Sequence, residues 1–576
     1  MHSDSAYILL CIALFLGAAA LTWPVLEMGL IDDWSYNHIA RDFAATGHFR
    51  YNGWAFAMLI PQVVWSAAFI KLFGFSFLAV RLSTVLLAVF LIPVLYSLGR
   101  ESGLTRTLAA FATLLCTLSP VVLPLTTSFM SDFPGFFFFV LCFYGAVRSW
   151  KAVAPGACLA WAALVLTAGI LGGIDRQIDW LGPLLFLPFL AWVHRRSRRA
   201  TAFLAAAWLC ALLTAVWSTL WYQAQPYSLH EDILGFWKRL PLRFMAATEF
   251  SLLIDLALTT GLLLLPVLLS YVKPGFTSAT RKTALLTLAC VAAVACAIIL
   301  RPLHAVPSLG NVMTPYGILG GAHVATLGVR PLILGSRLRE LLTVVVLLAC
   351  AACCLALWKT RRADRPRLWH DPATPTLILG LVFTAVWLPA MLFRSSGSPA
   401  FDRYLITVLP LILIPLLRHY QVRTGPRLSR WSWGTLALFA LYGVATTHDT
   451  FAMGRARVAA AQALEKSGIP RTGITAGFEY DGWTQLDAAG YINNPQIVNP
   501  AGSFRVPTCP GARELRPWFA WDMPAVHPRY YVALSRLPGL EDIPGQAPIT
   551  YTTWLPPARR QVFKQILPGN AYGGCQ

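Results

Sequence analysis

Charge is scarce in this 576-residue chain. Charged residues occupy 12% of its positions, hydrophobic residues occupy 57%, and the mean hydropathy is +0.59. Ordinary soluble domains carry about 25% charged residues, so a water-soluble fold is excluded. The composition indicates an integral membrane protein.

The chain contains many long apolar runs. Runs of about 17 to 25 residues recur along the first 447 positions, and each is long enough to cross a hydrocarbon core as a helix. We predict thirteen spans, at residues 6–26, 77–98, 107–125, 134–150, 156–172, 179–193, 201–222, 251–272, 283–300, 340–358, 375–393, 404–418 and 432–447.

Basic residues concentrate in alternate loops, such as 195–199 and 359–367. Because cytoplasmic loops carry an excess of Lys and Arg, the N-terminus is predicted to be cytoplasmic. The formal net charge of +20 then reflects topology and anionic lipid headgroups, and nucleic acid is not an expected partner. No basic residue other than His2 precedes the first apolar run, so an uncleaved helix is favoured over a signal peptide.

The tail after residue 447 lacks any membrane-length run. We predict a transmembrane body over residues 1–447 and a small soluble α/β domain over residues 448–576, outside the cytoplasm. The domain is predicted to start with a helix ending at Lys466 and to contain strands near residues 473–478 and 529–534. Cys509 and Cys575 are its only cysteines and could form one disulfide. No Asn-x-Ser/Thr sequon occurs in the predicted outer segments, which is compatible with a bacterial inner membrane.

Two adjacent carboxylates, Asp32 and Asp33, follow the first span and are followed by Trp34. They belong to an outer loop over residues 27–76. Charges beside a bilayer are costly and are kept where they face a partner, a cavity or a reacting group. Asp is also a preferred residue at helix N-termini, so capping and function both stay open.

Three other predicted outer loops add charge at the same membrane face: they contain Asp132, then Asp175 with Arg176, then Asp402 with Arg403. Each Asp and Arg pair could be a local ion pair of small energetic value. Together the loops predict a charged pocket at the membrane boundary.

Several short motifs together resemble one family. The resemblance depends on their order along the chain and on the side of the membrane where each is predicted to lie. The motifs are the acidic pair followed by an aromatic residue, Lys71-Leu72-Phe73-Gly74 leading into Ala79-Val80-Arg81-Leu82-Ser83, Phe129-Met130-Ser131-Asp132-Phe133-Pro134, Asp175-Arg176-Gln177 and Arg403-Tyr404-Leu405. They resemble polyprenyl-phosphate-sugar-dependent glycosyltransferases of the GT-C fold. The chain looks most like the broad glycosyltransferase family 39 group, with the protein O-mannosyltransferases and the bacterial lipid A aminoarabinose transferase. The resemblance covers residues 1–447 in architecture, with motif agreement confined to short patches.

The resemblance implies a catalytic base in the first outer loop, where the match falls on Asp32 and Asp33. We favour Asp33, which directly precedes Trp34, although the sequence does not separate the two. Adjacent carboxylates raise one another's pKa, which suits a group that accepts a proton from an acceptor hydroxyl. A single displacement would invert the anomeric configuration.

A lipid phosphate is the leaving group in such a reaction, and arginine donors match its oxygens. The candidates for binding it are Arg176 and Arg403, followed by Arg81 and His304. Asp132 matches the acidic position of the second loop, where a role in acceptor positioning or metal binding is expected. The carboxylates have no fixed ligand spacing, so a divalent metal cofactor stays open.

Aromatic residues of the first loop have two interpretations. Trp34, Tyr36 and Trp54 are candidates for stacking against sugars, and they equally fit the aromatic belt at a membrane interface. Aromatic residues of the tail, Trp483 and Trp521 among them, are expected near the acceptor.

We therefore predict an integral membrane glycosyltransferase whose partners are a polyprenyl-phosphate-linked sugar, the membrane, and a lipid, glycan or protein acceptor. The alternative is a secondary transporter or lipid flippase. Such proteins carry charged or broken helices near the bilayer midplane and often show repeated halves. This sequence has few charges within its spans and no duplicated half.

Overall fold

The computed structural model of the protein describes residues 2–229, 242–300, 304–319, 326–360, 370–395, 400–506 and 517–568. Up to residue 300 the helices are α1 His2–Leu21, α2 Asp33–Thr46, α3 Ile60–Phe73, α4 Phe77–Glu101, α5 Arg106–Leu118, α6 Val122–Thr126, α7 Asp132–Lys151, α8 Pro155–Asp175, α9 Leu181–Val193, α10 Arg198–Ala224, α11 Leu242–Leu263, α12 Leu265–Ser278 and α13 Arg281–Leu300. The later helices are α14 Ser336–Thr360, α15 Thr374–Ser395, α16 Leu409–Thr424, α17 Arg430–Lys466 and α18 Phe478–Ala489.

Helices overlie every predicted span, and the protein is a multi-pass membrane protein. Within the described residues, eight helices are long and apolar enough to cross a membrane, and a bent pair makes a ninth. The predicted count of thirteen is therefore not confirmed. The eight are α1, α4, α7, α8, α10, α13, α14 and α15.

Four of the five remaining predicted spans are short or interrupted, and the fifth, 432–447, lies within the 37-residue helix α17. The run 107–125 is divided into α5 and α6 by Ser119 and Pro120, and 251–272 bends by 87° between α11 and α12. Pro266 stands in the first turn of α12. A proline has no N–H for the preceding turn and fits a helix start, which explains why one apolar run becomes two helices.

The first loop contains two helices of its own. Helix α2 ends at Thr46 and is followed by Gly47, whose φ of 71° is left-handed and suits a glycine C-cap. Helix α3 has 14 residues, too few to span a bilayer unaided. This agrees with the predicted spans, none of which covers residues 55–73.

Helix α17 joins the membrane body to the C-terminal domain. Its 37 residues run without a break across the predicted boundary between residues 447 and 448, and it ends at Lys466 as predicted. The domain's strands are β3 Ile474–Thr475, β4 Tyr530–Ala533, β5 Glu541–Asp542, β6 Ile549–Thr552 and β7 Arg559–Ile566, after a small hairpin of β1 Met313–Thr314 and β2 Gly317–Ile318.

The sheet of the C-terminal domain has the order β3-β4-β7-β5, and β6 also pairs with β7. Strands β3 and β4 are parallel, and β7 is antiparallel to its partners. Both predicted strands are therefore confirmed, and they lie side by side. The predicted cysteine pair at 509 and 575 lies outside the described residues.

The C-terminal domain packs directly on the first loop through aromatic side chains. Trp34 is fully buried, and its ring lies 5.5 Å from that of Phe478. Gly482 of α18 faces the same indole, and a Cβ at this position would lie 2.7 Å from it. This close packing positions α18 against the residues that follow α1.

Candidate active site

A cavity of about 730 Å³ lies where the ends of the membrane helices meet the first loop and the C-terminal domain. Asp32 enters it after α1, Asp132 from the start of α7, Arg176 from the end of α8, and Arg394 from the end of α15. The volume is within the usual range for small-molecule sites, about 300–1,000 Å³. Charged groups that are far apart in sequence thus face one shared cavity.

Asp32 is the first-loop carboxylate that faces the cavity. It stands at the N-cap of α2, but its side chain makes no capping hydrogen bond. Instead, its Oδ1 accepts a hydrogen bond of 3.0 Å from the indole N–H of Trp54. Its side chain is 19% exposed, so it is oriented by the protein and still reachable from the cavity.

Asp33 has a different position, because its side chain is fully buried and does not line the cavity. One carboxylate oxygen accepts the N–H of Leu30 at 2.6 Å, and the other accepts the N–H of Phe129 at 2.9 Å. Burial raises the pKa of Asp33 to about 6, although nearby Arg81 lowers it. Of the two carboxylates predicted as candidate bases, the structure therefore places Asp32 at the cavity and Asp33, the one preferred from the sequence, away from it.

The backbone before Asp32 is held in an unusual conformation. Ile31 has a φ of 52°, a left-handed value that is a genuine outlier for a β-branched residue. Its N–H donates a 3.3 Å hydrogen bond to Glu479 Oε1 of the C-terminal domain. Glu479 is held by Arg457 of α17 at 2.9 Å. Strained backbone persists where surrounding contacts over-determine it, and here one of those contacts comes from the C-terminal domain.

Arg81 stabilises the same segment from the other side. It is fully buried in α4 and donates hydrogen bonds to the carbonyl groups of Pro24, Leu26 and Met28. It does not line the cavity. Its Nη1 and Nη2 atoms donate to these carbonyl groups, whereas its buried Nε makes no hydrogen bond among the described residues. The structure therefore places this phosphate-binding candidate against the loop backbone and away from the cavity.

His304 is also absent from the cavity lining. Its Nδ1 lies 2.9 Å from Asp255 Oδ1. This lower-ranked candidate for phosphate binding therefore pairs with Asp255, away from the charged residues of the cavity. The structure does not bring it to the other candidates.

Asp132 is the centre of the ionic contacts in the cavity. Arg176 Nη1 lies 2.7 Å from its Oδ1, and Arg403 Nη1 lies 3.5 Å from its Oδ2. The same Arg403 atom lies 3.6 Å from Asp32 Oδ2. Neither arginine pairs with the aspartate next to it in sequence: Asp402 instead accepts backbone N–H groups of Val312 and Met313.

Arg403 has nitrogen atoms that make no hydrogen bond within the described ranges, although its Nη1 makes the ion pairs noted above. Its Nε and Nη1 atoms are buried, and neither makes a hydrogen bond within the part of the chain that the structure describes. Among the described residues, two carboxylates and three guanidinium groups line the cavity, which is an excess of one positive charge. Buried donors of this kind are costly unless a ligand satisfies them, and an anion would do so.

Arg394 was not singled out from the sequence. It lines the cavity and donates a 3.0 Å hydrogen bond to the hydroxyl of Tyr404. The ring of Tyr404 also lies 5.0 Å from the guanidinium carbon of Arg176. The available signal was an arginine next to the outer end of a predicted span, where an isolated charge is unusual.

The predicted sugar-stacking residues fall into two groups. Tyr36 and Trp54 line the cavity, whereas Trp34 is buried beneath the C-terminal domain. Two aromatic residues of that domain, Phe478 and Trp518, also line the cavity. Trp521, which we expected near the acceptor, does not.

The arrangement does not fit a divalent metal. Within the described ranges, no three His, Cys, Asp or Glu side chains are grouped as metal ligands. Both cavity carboxylates also have guanidinium neighbours, which compete with a cation for the same oxygens.

Comparisons with known proteins give three similar solved structures. No protein-family model and no curated protein matches the chain. ArnT from Cupriavidus metallidurans in the apo state is 14% identical with a TM-score of 0.37, over 84% of this chain and 69% of ArnT. ArnT from the same organism bound to undecaprenyl phosphate is 13% identical with a TM-score of 0.38, over 99% of this chain and all of the other, 100%.

The third structure is the S. cerevisiae protein O-mannosyltransferase Pmt1-Pmt2 complex bound to the sugar donor. It is 13% identical with a TM-score of 0.31, over 38% of this chain and 33% of the other. All three TM-scores are below 0.5, so the function proposed below rests on the residues of this chain.

Proposed function

We propose that this protein transfers a sugar from a polyprenyl-phosphate donor to the hydroxyl group of an acceptor. The observation that carries the proposal is the pairing of Asp32 with Arg403 in one cavity at the ends of the membrane helices. A reachable carboxylate can take a proton, and an arginine whose buried Nε makes no hydrogen bond among the described residues can bind a phosphate. GT-C architecture, suggested by the sequence motifs, agrees with this chemistry.

Asp32 acts as the base in this proposal. The acceptor oxygen attacks the anomeric carbon, the bond from that carbon to the phosphate oxygen breaks, and the hydroxyl proton passes to the Asp32 carboxylate. The electron pair of the broken bond leaves on the lipid phosphate. Attack from the face opposite the phosphate inverts the anomeric configuration.

Arg403 and Arg176 stabilise the departing phosphate. Negative charge grows on the leaving phosphate as the bond breaks, and donors already aimed at that charge lower the barrier. Burial lowers the pKa of Arg403, but the neighbouring carboxylates, Asp132 first, raise it above its ordinary value, so the group stays cationic. Asp132 holds both guanidinium groups in place, which is the role we propose for it in place of metal binding.

The membrane arrangement is part of the proposal. The basic loops favour a cytoplasmic N-terminus, which puts the cavity and the domain over residues 448–576 outside the cytoplasm. A bacterial inner membrane is the setting that we propose. A polyprenyl donor can reach such a cavity from the outer leaflet, with its sugar facing the charged residues.

The function is tested in cells that lack the protein. Lipid extracts are compared by mass spectrometry after complementation with the wild-type protein, Asp32→Asn or Asp42→Asn. Asp42 is a matched control because it lies on α2 but outside the cavity. We expect a polyprenyl-phosphate sugar to accumulate in the deletion and in the Asp32→Asn cells only, at equal protein levels.

The same experiment separates the proposal from transport. A lipid flippase would not need a base, so Asp32→Asn would clear the accumulated lipid as the wild type does. That result would contradict the transferase.

A further inference from the structure

The C-terminal domain contributes an aromatic surface to the cavity. Trp518 lies on a short helical turn, Trp518–Trp521. Its ring centroid is 5.3 Å from that of Phe478 and 6.5 Å from that of Trp54. These three side chains all border the cavity and are called the aromatic shelf below. Phe478 is only 2% exposed, so Trp518 and Trp54 supply the accessible part of the shelf.

Trp518 is well supported but open to the cavity. Phe478 and Phe519 pack against it, with Phe519 at 5.6 Å and itself 1% exposed. Trp518 nevertheless remains 50% exposed. A single exposed aromatic side chain is common on protein surfaces, whereas a contiguous apolar patch that lines a groove beside polar groups is typical of a ligand-binding site.

Position distinguishes Trp518 from its neighbour on the same turn. Trp521 is 44% exposed, a similar fraction, but it does not line the cavity. Exposure alone therefore does not mark the shelf, and the chain offers a matched control residue.

The shelf leads to the proposed base. Trp54 forms its inner end, and the indole N–H of Trp54 donates to Asp32. A pyranose ring has an apolar C–H face and hydroxyl groups around its edge. Aromatic side chains offer a broad apolar surface with little conformational freedom to lose, so a ring lying on the shelf would direct an edge hydroxyl toward the charged residues.

We propose that the aromatic shelf is a saccharide-binding subsite in which Trp518, supplied by the C-terminal domain, determines affinity for a sugar ring. The inference rests on the proposed function. The ring belongs either to the donor or to a glycan acceptor, which share this chemistry. In both cases the C-terminal domain becomes part of the substrate site.

The test uses initial-rate kinetics of the full-length protein in nanodiscs, because maltoside detergents carry sugar rings of their own. The donor is the lipid-linked sugar purified from deletion cells, and the acceptor is the membrane fraction of those cells. The variants are Trp518→Ala, Trp518→Phe, Trp521→Ala and Asp32→Asn.

We expect Trp518→Ala to raise the KM for one substrate about tenfold, with kcat within about twofold. Trp518→Phe keeps an aromatic face and should recover most of the affinity, while Trp521→Ala should match the wild type. A KM effect on the donor identifies the donor sugar as the ring, and an effect on the acceptor fraction identifies a glycan acceptor.

Two results would overturn the subsite. One is unchanged KM values for both substrates in Trp518→Ala, and the other is an equal effect of Trp521→Ala. If either result is found but Asp32→Asn is inactive in the same preparation, the subsite is refuted and the proposed function still holds. If the wild-type protein transfers no sugar, the proposed function falls and the subsite falls with it.

Discussion

Ile31 and Glu479 are 448 residues apart in the chain and are joined by a hydrogen bond from the Ile31 N–H to Glu479 Oε1. The bond connects the C-terminal domain to the residue before Asp32. It holds a left-handed Ile31 that an isolated loop would rarely adopt. The domain therefore contributes to the orientation of the proposed base as well as to the cavity wall.

Glu479→Ala should lower kcat about tenfold and leave both KM values near those of the wild type, because a misoriented base affects the chemical step. Glu479→Gln keeps an acceptor for the Ile31 N–H and should retain more activity. Glu465→Ala is the control. Glu465 is a glutamate of α17 that accepts a hydrogen bond from the Tyr480 hydroxyl and not from the Ile31 N–H. Faster hydrogen exchange across residues 26–33 in Glu479→Ala would give a readout independent of turnover, and normal kcat in that variant would refute the positioning role.

Arg403→Lys should lower kcat/KM for the donor about tenfold to a hundredfold. Lysine keeps the charge but loses the forked donors that match phosphate. Arg41→Lys is the control, because Arg41 lies on α2 and pairs with Asp487 outside the cavity. Equal kcat/KM for Arg403→Lys and the wild type, measured with the purified lipid-linked sugar, would exclude Arg403 from phosphate binding.

Asp33 should make thermal stability depend on pH. Its pKa is about 6 in the folded protein and about 3.9 when unfolded. Because the folded value is the higher one, this group's contribution is complete below about pH 4 and is lost as the pH rises through 6.

The difference in Tm between Asp33→Asn and the wild type isolates this group, since the other buried carboxylates are common to both proteins. Loss of an accepted N–H bond should lower the Tm of the variant at every pH. The deficit should shrink from pH 4.5 to pH 7.5 as the wild type loses stability. A deficit that stays constant or widens over this range would show that the pKa of Asp33 is not raised.

Periodicity and charge were sufficient to predict much of this fold. Each apolar run is helical because only a helix satisfies its own backbone within a bilayer, and loops at one end of the spans do bring Asp32, Asp132, Arg176 and Arg403 together. The number of spans was not obtainable in the same way. A proline such as Pro266 can divide one apolar run into two helices.

The sequence of two adjacent aspartates does not reveal which of them faces the cavity. Adjacent residues at a helix start point in different directions, and the choice between Asp32 and Asp33 depends on Phe129, whose N–H binds the second carboxylate. The part played by Trp518 and Glu479 was equally inaccessible. Both reach the cavity region through the packing of the C-terminal domain, and no local pattern encodes those long-range contacts.

The central claim is that Asp32 accepts the proton of the acceptor hydroxyl. The most direct measurement is the single-turnover rate of sugar transfer by purified Asp32→Asn, beside Asp42→Asn, with the lipid-linked sugar from deletion cells at saturating concentration. The account predicts a loss of about a hundredfold to ten-thousandfold for Asp32→Asn and a rate close to wild type for Asp42→Asn. A rate for Asp32→Asn within about twofold of the wild type would contradict it.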